Sequence, residues 1–224
     1  MTPTHRIHIF TDGSKSDKGI GCSITYNKRN LYQVQYKLGE HCTANQAELL
    51  AIFHALQWTL KNIHHHNTKN VTILSDSRVA LQQLKKLNSN YPTVYQSINI
   101  IIHLRRIINI RLHWVEGHAD NAGNKRADLL AHTTPERITH YSFSAIPPKW
   151  LHNQIKEYFW KRWQDRWDTG TTGRLTHQFI PSVKQRRSYK HLIPSFSTTQ
   201  MYTGHGNFQS YLKWFMNKTD GLCP

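Results

Sequence analysis

The sequence predicts an α/β fold: a mixed sheet with helices packed on its faces, followed by a mainly helical extension. Three observations carry this prediction. Three alternating runs, "RIHIF", "GCSITYN" and "LYQVQYKLG", stand at the start, separated by Gly-, Lys- and Asn-containing turns. A long segment of helical period follows, and strands and helices then alternate. Mixed sheets with helices on their faces arise from such orders.

The three opening runs read as successive antiparallel strands. In "TANQAELLAIFHALQWTLKNI" the residues Leu49, Ile52, Phe53, Leu56 and Leu60 share one helical face. "NVTILSD" is a short apolar run ending in an acid, and "SRVALQQLKKL" a helix of about three turns. "SINIIIHLRRIIN" predicts a further helix, "IRLHWVEG" a strand and "NKRADLLAHTT" a last helix. The double proline Pro147-Pro148 then breaks the pattern. The expected organisation is a domain over 1–134, a linker over 135–148 and a basic, aromatic-rich extension over 149–224. In the extension Leu151, Ile155, Phe159, Trp163 and Trp167 recur four apart, with Lys156, Arg162 and Arg166 between them. That spacing favours a packed stripe, while bases interleaved with aromatics also suit stacking on nucleic-acid bases.

With 224 residues, 38% of them apolar, the chain can bury a real core and is not composed like a disordered one. Its 29 Lys and Arg against 13 Asp and Glu leave a net charge of +16, and 1–134 and 135–224 each carry +8. Even spreading argues against a basic targeting peptide and for a polyanionic partner along the whole chain. Cys22, Cys42 and Cys223 neither pair fully nor form a zinc spacing, which fits a reducing intracellular compartment. No apolar run reaches membrane-spanning length, so a soluble protein with no membrane partner is expected.

Asp12 follows the first apolar run in "IHIFTDGSKSDKG", and alone it would simply begin a turn. Three more acids sit near element ends: Glu48 early in the first helix, Asp76 after the fourth strand and Asp128 early in the last helix. A packed sheet could bring all four together. Carboxylates that share a low-dielectric pocket repel one another and raise each other's pKa, so the cluster implies a countercharge. Oxygen ligands on rigid elements suit Mg2+ or Mn2+, and two such ions can activate a water and stabilise the leaving oxygen of a phosphodiester.

"TDGS", "TANQAELLAIFHAL", "ILSDSRVAL" and "WVEGHADNAGNKRADLLA" occur in this order, and the chain from 5 to 133 resembles the type 1 ribonuclease H family. The resemblance implies a five-stranded sheet of order 3-2-1-4-5 and hydrolysis of the RNA strand of RNA/DNA hybrids, leaving a 3'-hydroxyl and a 5'-phosphate. It also implies that Asp12, Glu48, Asp76 and Asp128 hold two Mg2+ ions, with Mn2+ as a substitute. His118 would then handle a proton in "GHADNAGN". Gly13, Ser14, Lys15, Asn45, Gln46, Arg78 and Asn124 become the expected nucleic-acid contacts, and Lys85, Lys86, Lys125 and Arg126 further phosphate partners. Asp120 adds an acid beside His118, and Ala44 replaces an asparagine that the family uses in the minor groove.

The later stretches "WQDRWDTGTTGRLTHQFIP" and "YTGHGNFQSYLKWF", with "GLCP", resemble the segment after the ribonuclease H domain of insect non-LTR retrotransposon polyproteins. A zinc-binding Cys/His module follows there, so this sequence reads as a piece truncated before that module, and work on nuclear DNA is implied. The alternative reading is a catalytically weak or inactive nucleic-acid-binding fragment of such a protein.

Overall fold

The computed structural model describes residues 6–26, 32–65, 68–86, 91–117, 121–189 and 193–222. They form two compact units, Met1–Pro147 and Pro148–Pro224. The first holds five strands, β1 (Arg6–Ser16), β2 (Gly19–Tyr26), β3 (Tyr32–Leu38), β4 (Asn70–Ser75) and β5 (Asn109–Trp114). Its helices are α1 (Ala44–Asn62), α2 (Arg78–Lys85), α3 (Pro92–Arg105) and α4 (Ala122–Arg137). The sheet order is β3-β2-β1-β4-β5. The pairs β1–β2 and β2–β3 run antiparallel, and β1–β4 and β4–β5 parallel.

Alternation along the central strands divides the core between the two faces of the sheet. Ile7 and Ile9 of β1 and Val71 and Ile73 of β4 join Ile52 and Leu56 of α1 and Ile98 and Ile101 of α3. The next residues, Phe10 and Leu74, turn the other way and meet Ala127 of α4. Ile52, Leu56 and Ile73 are fully buried, and each contributes about 1.5–3 kcal/mol of apolar transfer.

Asp12 was expected where the first strand stops, but β1 continues four residues beyond it. The antiparallel ladder with β2 runs on to Ser16↔Gly19, so "TDGS" is strand and the turn lies between Ser16 and Gly19. Backbone pairing to β2 outweighs the turn preference of Asp and Gly.

Two glycines let helices lie close on this sheet. A Cβ at Gly13 would stand 2.3 Å from the Glu48 nitrogen and 2.5 Å from the Ala47 carbonyl carbon. One at Gly21 would stand 2.5 Å from the Ala131 oxygen. Gly13 thus admits α1 onto β1, and Gly21 admits α4 onto β2. Polar side chains of the sheet then fasten α4: Ser23 Oγ donates to Ala127 O at 2.7 Å, Gln35 Nε2 to Leu130 O at 2.8 Å, and Lys37 Nζ to Pro135 O at 3.0 Å.

Helix boundaries depart from the sequence reading at several ends, two of them at prolines. α3 begins at Pro92, its proline in the first turn where no N–H is needed. Pro135–Arg137, read as the start of the linker, continue α4. Beyond them Ser142 N donates to Lys37 O and Gly39 N to Phe143 O, both at 2.8 Å, which covers the outer edge of β3.

The second unit contains α5 (Pro148–Thr169), α6 (Arg174–Phe179), α7 (Val183–Ser188), α8 (Phe196–Thr203) and α9 (Gln209–Met216). Trp167 Nε1 donates to Ile180 O and Gln164 Nε2 to Pro181 O, holding the α6–α7 connection to the end of α5. Val183 is the one buried apolar residue among those described in this unit. Of the stripe whose spacing favoured packing, Leu151, Ile155, Phe159 and Trp163 are exposed. The six-residue α7 is the main helix packed along the six-turn α5, too little to bury it.

Replacing Gly13 by Ala forces α1 off β1. Urea unfolding should show a loss of about 1–3 kcal/mol, the usual range for overpacking a tight contact.

Candidate metal centre

The β1–β4 ladder ends at Thr11↔Ser75, and Asp12 and Asp76 are the next residue on each chain. They therefore emerge side by side where the two strands part. Asp12 stays held on its other edge by pairing with Ser23. Beyond the ladder Asp76 is fixed by its neighbours: Trp114 Nε1 donates to its carbonyl at 2.9 Å, and Ser75 Oγ accepts from Ser77 N at 3.1 Å.

α1 delivers the third acid. Thr43 and Gln46 form a reciprocal capping box, Gln46 N donating to Thr43 Oγ1 at 3.2 Å and Thr43 N to Gln46 Oε1 at 2.9 Å. Glu48 follows one turn later, over the Gly13 contact. Ligand oxygens of Asp12, Glu48 and Asp76 all lie within 4.8 Å of one another. Asp128 of α4 stands outside this trio but lines a small cavity of about 20 Å³ with Asp76, Asn124 and Lys125.

Burial and crowding make Asp12 and Glu48 reluctant to ionise. Asp12 is 5% exposed, and burial, then the charges of Asp76 and Asp128, push its pKa up to about 7. Glu48 is pushed up to about 9 by burial first, then by Asp12 and Asp76, against the pull of a hydrogen bond from the Gly13 backbone. Beneath them the Cys22 thiol is fully buried. Burial and then the charges of Glu48 and Asp12 raise its pKa well above the ordinary value, so it is an inert core group.

The donor set fits a hard divalent cation. Glu48 Oε2 is buried and Asn124 Oδ1 is buried, and neither has a hydrogen-bond partner. Both are acceptors, so either a donor or a cation is needed to satisfy them. Three clustered carboxylates with an unsatisfied oxygen suit a cation better than a donor, and all-oxygen donors suit a hard divalent one.

The other expected site residues are distributed around this centre. Gly13 and Ser14 continue β1 opposite Cys22 and Gly21. Lys15 Nζ donates to Cys42 O at 2.8 Å, and Asn45 Nδ2 to Gln83 Oε1 at 3.0 Å. Gln46 serves the capping box and also donates to Ala145 O at 3.3 Å. Arg78 lays its guanidinium 3.9 Å over the Trp114 ring. Asn124, expected as a nucleic-acid contact, is 2% exposed and faces the acids. His118, Asp120 and Cys223 lie outside the described residues. Sequence reasoning missed Trp114, which braces Asp76 and carries Arg78. Its only signal was an aromatic next to "VEGH", and that spacing says nothing of a neighbouring strand's carbonyl.

Sheet order and acid cluster together define an α/β protein with clustered carboxylates placed where a cation could sit. Residues 4–135 match the RNase H family, and the chain belongs to that family. It is similar to a ribonuclease H of Bartonella bacilliformis, 32% identical over 156 residues covering 63% of this chain and 94% of that protein. A ribonuclease H of Schizosaccharomyces pombe is 30% identical over 141 residues, 55% of this chain and 50% of that protein. A retrovirus-related Pol polyprotein from the type-1 retrotransposable element R1 of Bradysia coprophila is 39% identical over 64 residues, 27% of this chain. The chain spans 6% of that polyprotein and half of the fission-yeast protein. No helix among the described residues is long and apolar enough to cross a membrane.

In the cation-free protein Asp12 and Glu48 have folded pKa values above those of the unfolded chain, so the unfolded state loses its protons first. Their contribution is fully present below about pH 4 and is lost as pH rises toward about 7 for Asp12 and about 9 for Glu48. With a chelator, urea unfolding from pH 4 to 9 should show falling stability. Glu48→Gln should flatten that fall and gain about 1–2 kcal/mol at pH 9 with no gain at pH 4, and Mg2+ should restore the wild type.

Proposed function

We propose that this chain hydrolyses the RNA strand of RNA/DNA hybrids, leaving a 3'-hydroxyl and a 5'-phosphate. The observation that carries this reading is the carboxylate trio within 4.8 Å, one of whose oxygens is buried without a partner. Family membership and the ribonucleases H among its relatives support it. Asp12, Glu48, Asp76 and Asp128 would hold two divalent cations, Mg2+ or Mn2+. When bound, these ions activate a water against the phosphorus and stabilise the departing 3'-oxygen.

The chain's own residues set the substrate. Asn45, at the start of α1, and the β1 backbone from Gly13 to Lys15 border the cluster, and they read the 2'-hydroxyls of the RNA strand in its shallow minor groove. Arg78, Lys85 and Lys86 are exposed on and just after α2, where they follow phosphates and give affinity without sequence preference. Gln46 contacts the backbone from beside Asn45. Asn124, buried beside Asp76 and Asp128, lines the same small cavity. His118, in "GHADNAGN", takes the proton role. Similarity to retrotransposon proteins supports a nuclear place of work.

A labelled RNA/DNA hybrid, offered with Mg2+ beside single-stranded RNA, double-stranded RNA and double-stranded DNA, tests the reading. Cleavage of the hybrid alone is expected. Asp12→Asn should lower the rate by roughly a thousandfold, the several kcal/mol that a bound cation supplies. Hybrid binding without cleavage in either Mg2+ or Mn2+ would leave a nucleic-acid-binding protein instead.

A further inference from the structure

The second unit holds a groove that the nuclease centre does not use. It lies between α5 and α7, encloses about 660 Å³ and is lined by Ile155, Lys156, Phe159, Trp160, Trp163 and Arg187 among others. Trp160 and Trp163 stack with their rings 5.6 Å apart and 2° from parallel. The guanidinium of Arg187 stands 5.6 Å from the centre of Trp160. Trp163 remains 50% exposed and Phe159 62% exposed. We propose that this groove binds single-stranded nucleic acid, with bases stacking on Trp163 and Phe159.

Three features point to that ligand. Two parallel indoles already fix the plane in which another flat ring adds, and every base presents a π-face to such a platform. Charge follows the same logic. Residues 148–224 carry 12 Lys and Arg against 4 Asp and Glu. At the groove Lys184 is committed to Glu157 at 3.1 Å, while Lys156 has no carboxylate partner among the described residues. An apolar peptide would leave these cations without use, whereas a phosphate backbone runs along them. The duplex form of the same polymer is excluded by the site's chemistry, because paired bases keep their faces inside the helix. The groove therefore takes single strands, in contrast to the hybrid proposed for the carboxylate centre.

The full chain carrying Asp12→Asn, which removes hydrolysis, is titrated against fluorescein-labelled oligouridine and followed by anisotropy. Trp163→Ala should weaken binding by about tenfold, and Trp163→Tyr should keep most of it. The same Trp163→Ala change in the otherwise wild-type chain should leave hybrid cleavage unaltered, so failure here is separable from failure of the nuclease reading. Oligouridine affinity unchanged by both Trp163→Ala and Phe159→Ala would overturn the proposal, as would equal loss with Trp163→Tyr. Should Trp163→Ala reduce helix content by circular dichroism, the surface variant Lys156→Gln decides. A fall of about one in the salt slope supports the site, and an unchanged slope overturns it.

Discussion

The approach of α1 to β1 at Gly13 is the contact on which the centre depends. No side chain intervenes between the strand and the backbone of Ala47 and Glu48, and any added Cβ would overlap that backbone. The consequence is chemical as well as steric. α1 could pack its Leu49, Ile52 and Leu56 face against the sheet at a greater distance, but Glu48 would then move away from Asp12. The glycine thus converts ordinary helix-on-sheet packing into a carboxylate pair held by two rigid elements.

The fourth acid is positioned by a different device. α4 lies on the opposite face, close over Gly21, and is fastened by donors on β2 and β3 to Ala127, Leu130 and Pro135. These bonds flank Asp128 on both sides along the helix. Asp12 on β1 and Glu48 on α1 raise the free energy of the cation-free centre, since burial and neighbouring charge both oppose their ionisation. The apolar clusters on either side of the sheet offset that cost, and a bound cation reverses it. Sites of function are where such local conflict is tolerated, and this domain concentrates it at the opening between β1 and β4.

The second unit follows another principle. Its helices bury little, its long helix presents aromatics to solvent, and its charge is strongly positive. Exposed tryptophans bordered by cations carry a standing cost unless a ligand covers them. The first unit concentrates buried acids at one opening of a sheet, whereas the second leaves aromatic rings and cations at its surface.

By itself the sequence determined the strands, the principal helices and the sheet class, and it named four candidate acids, because periodicity and motif order are local properties that survive without a partner. Asp12, Glu48, Asp76 and Asp128 could be named before any contact was known. Only the tertiary structure decided that Asp12 lies within β1 rather than at its end, since the ladder to β2 is a pairing between distant residues. It also decided that Trp114 braces Asp76, that Asn124 is buried against the acids, that 142–143 cover the β3 edge, and that Phe159 and Trp163 of α5 stay exposed. Each of these depends on which surface another segment brings near, and helical or strand period carries no record of that.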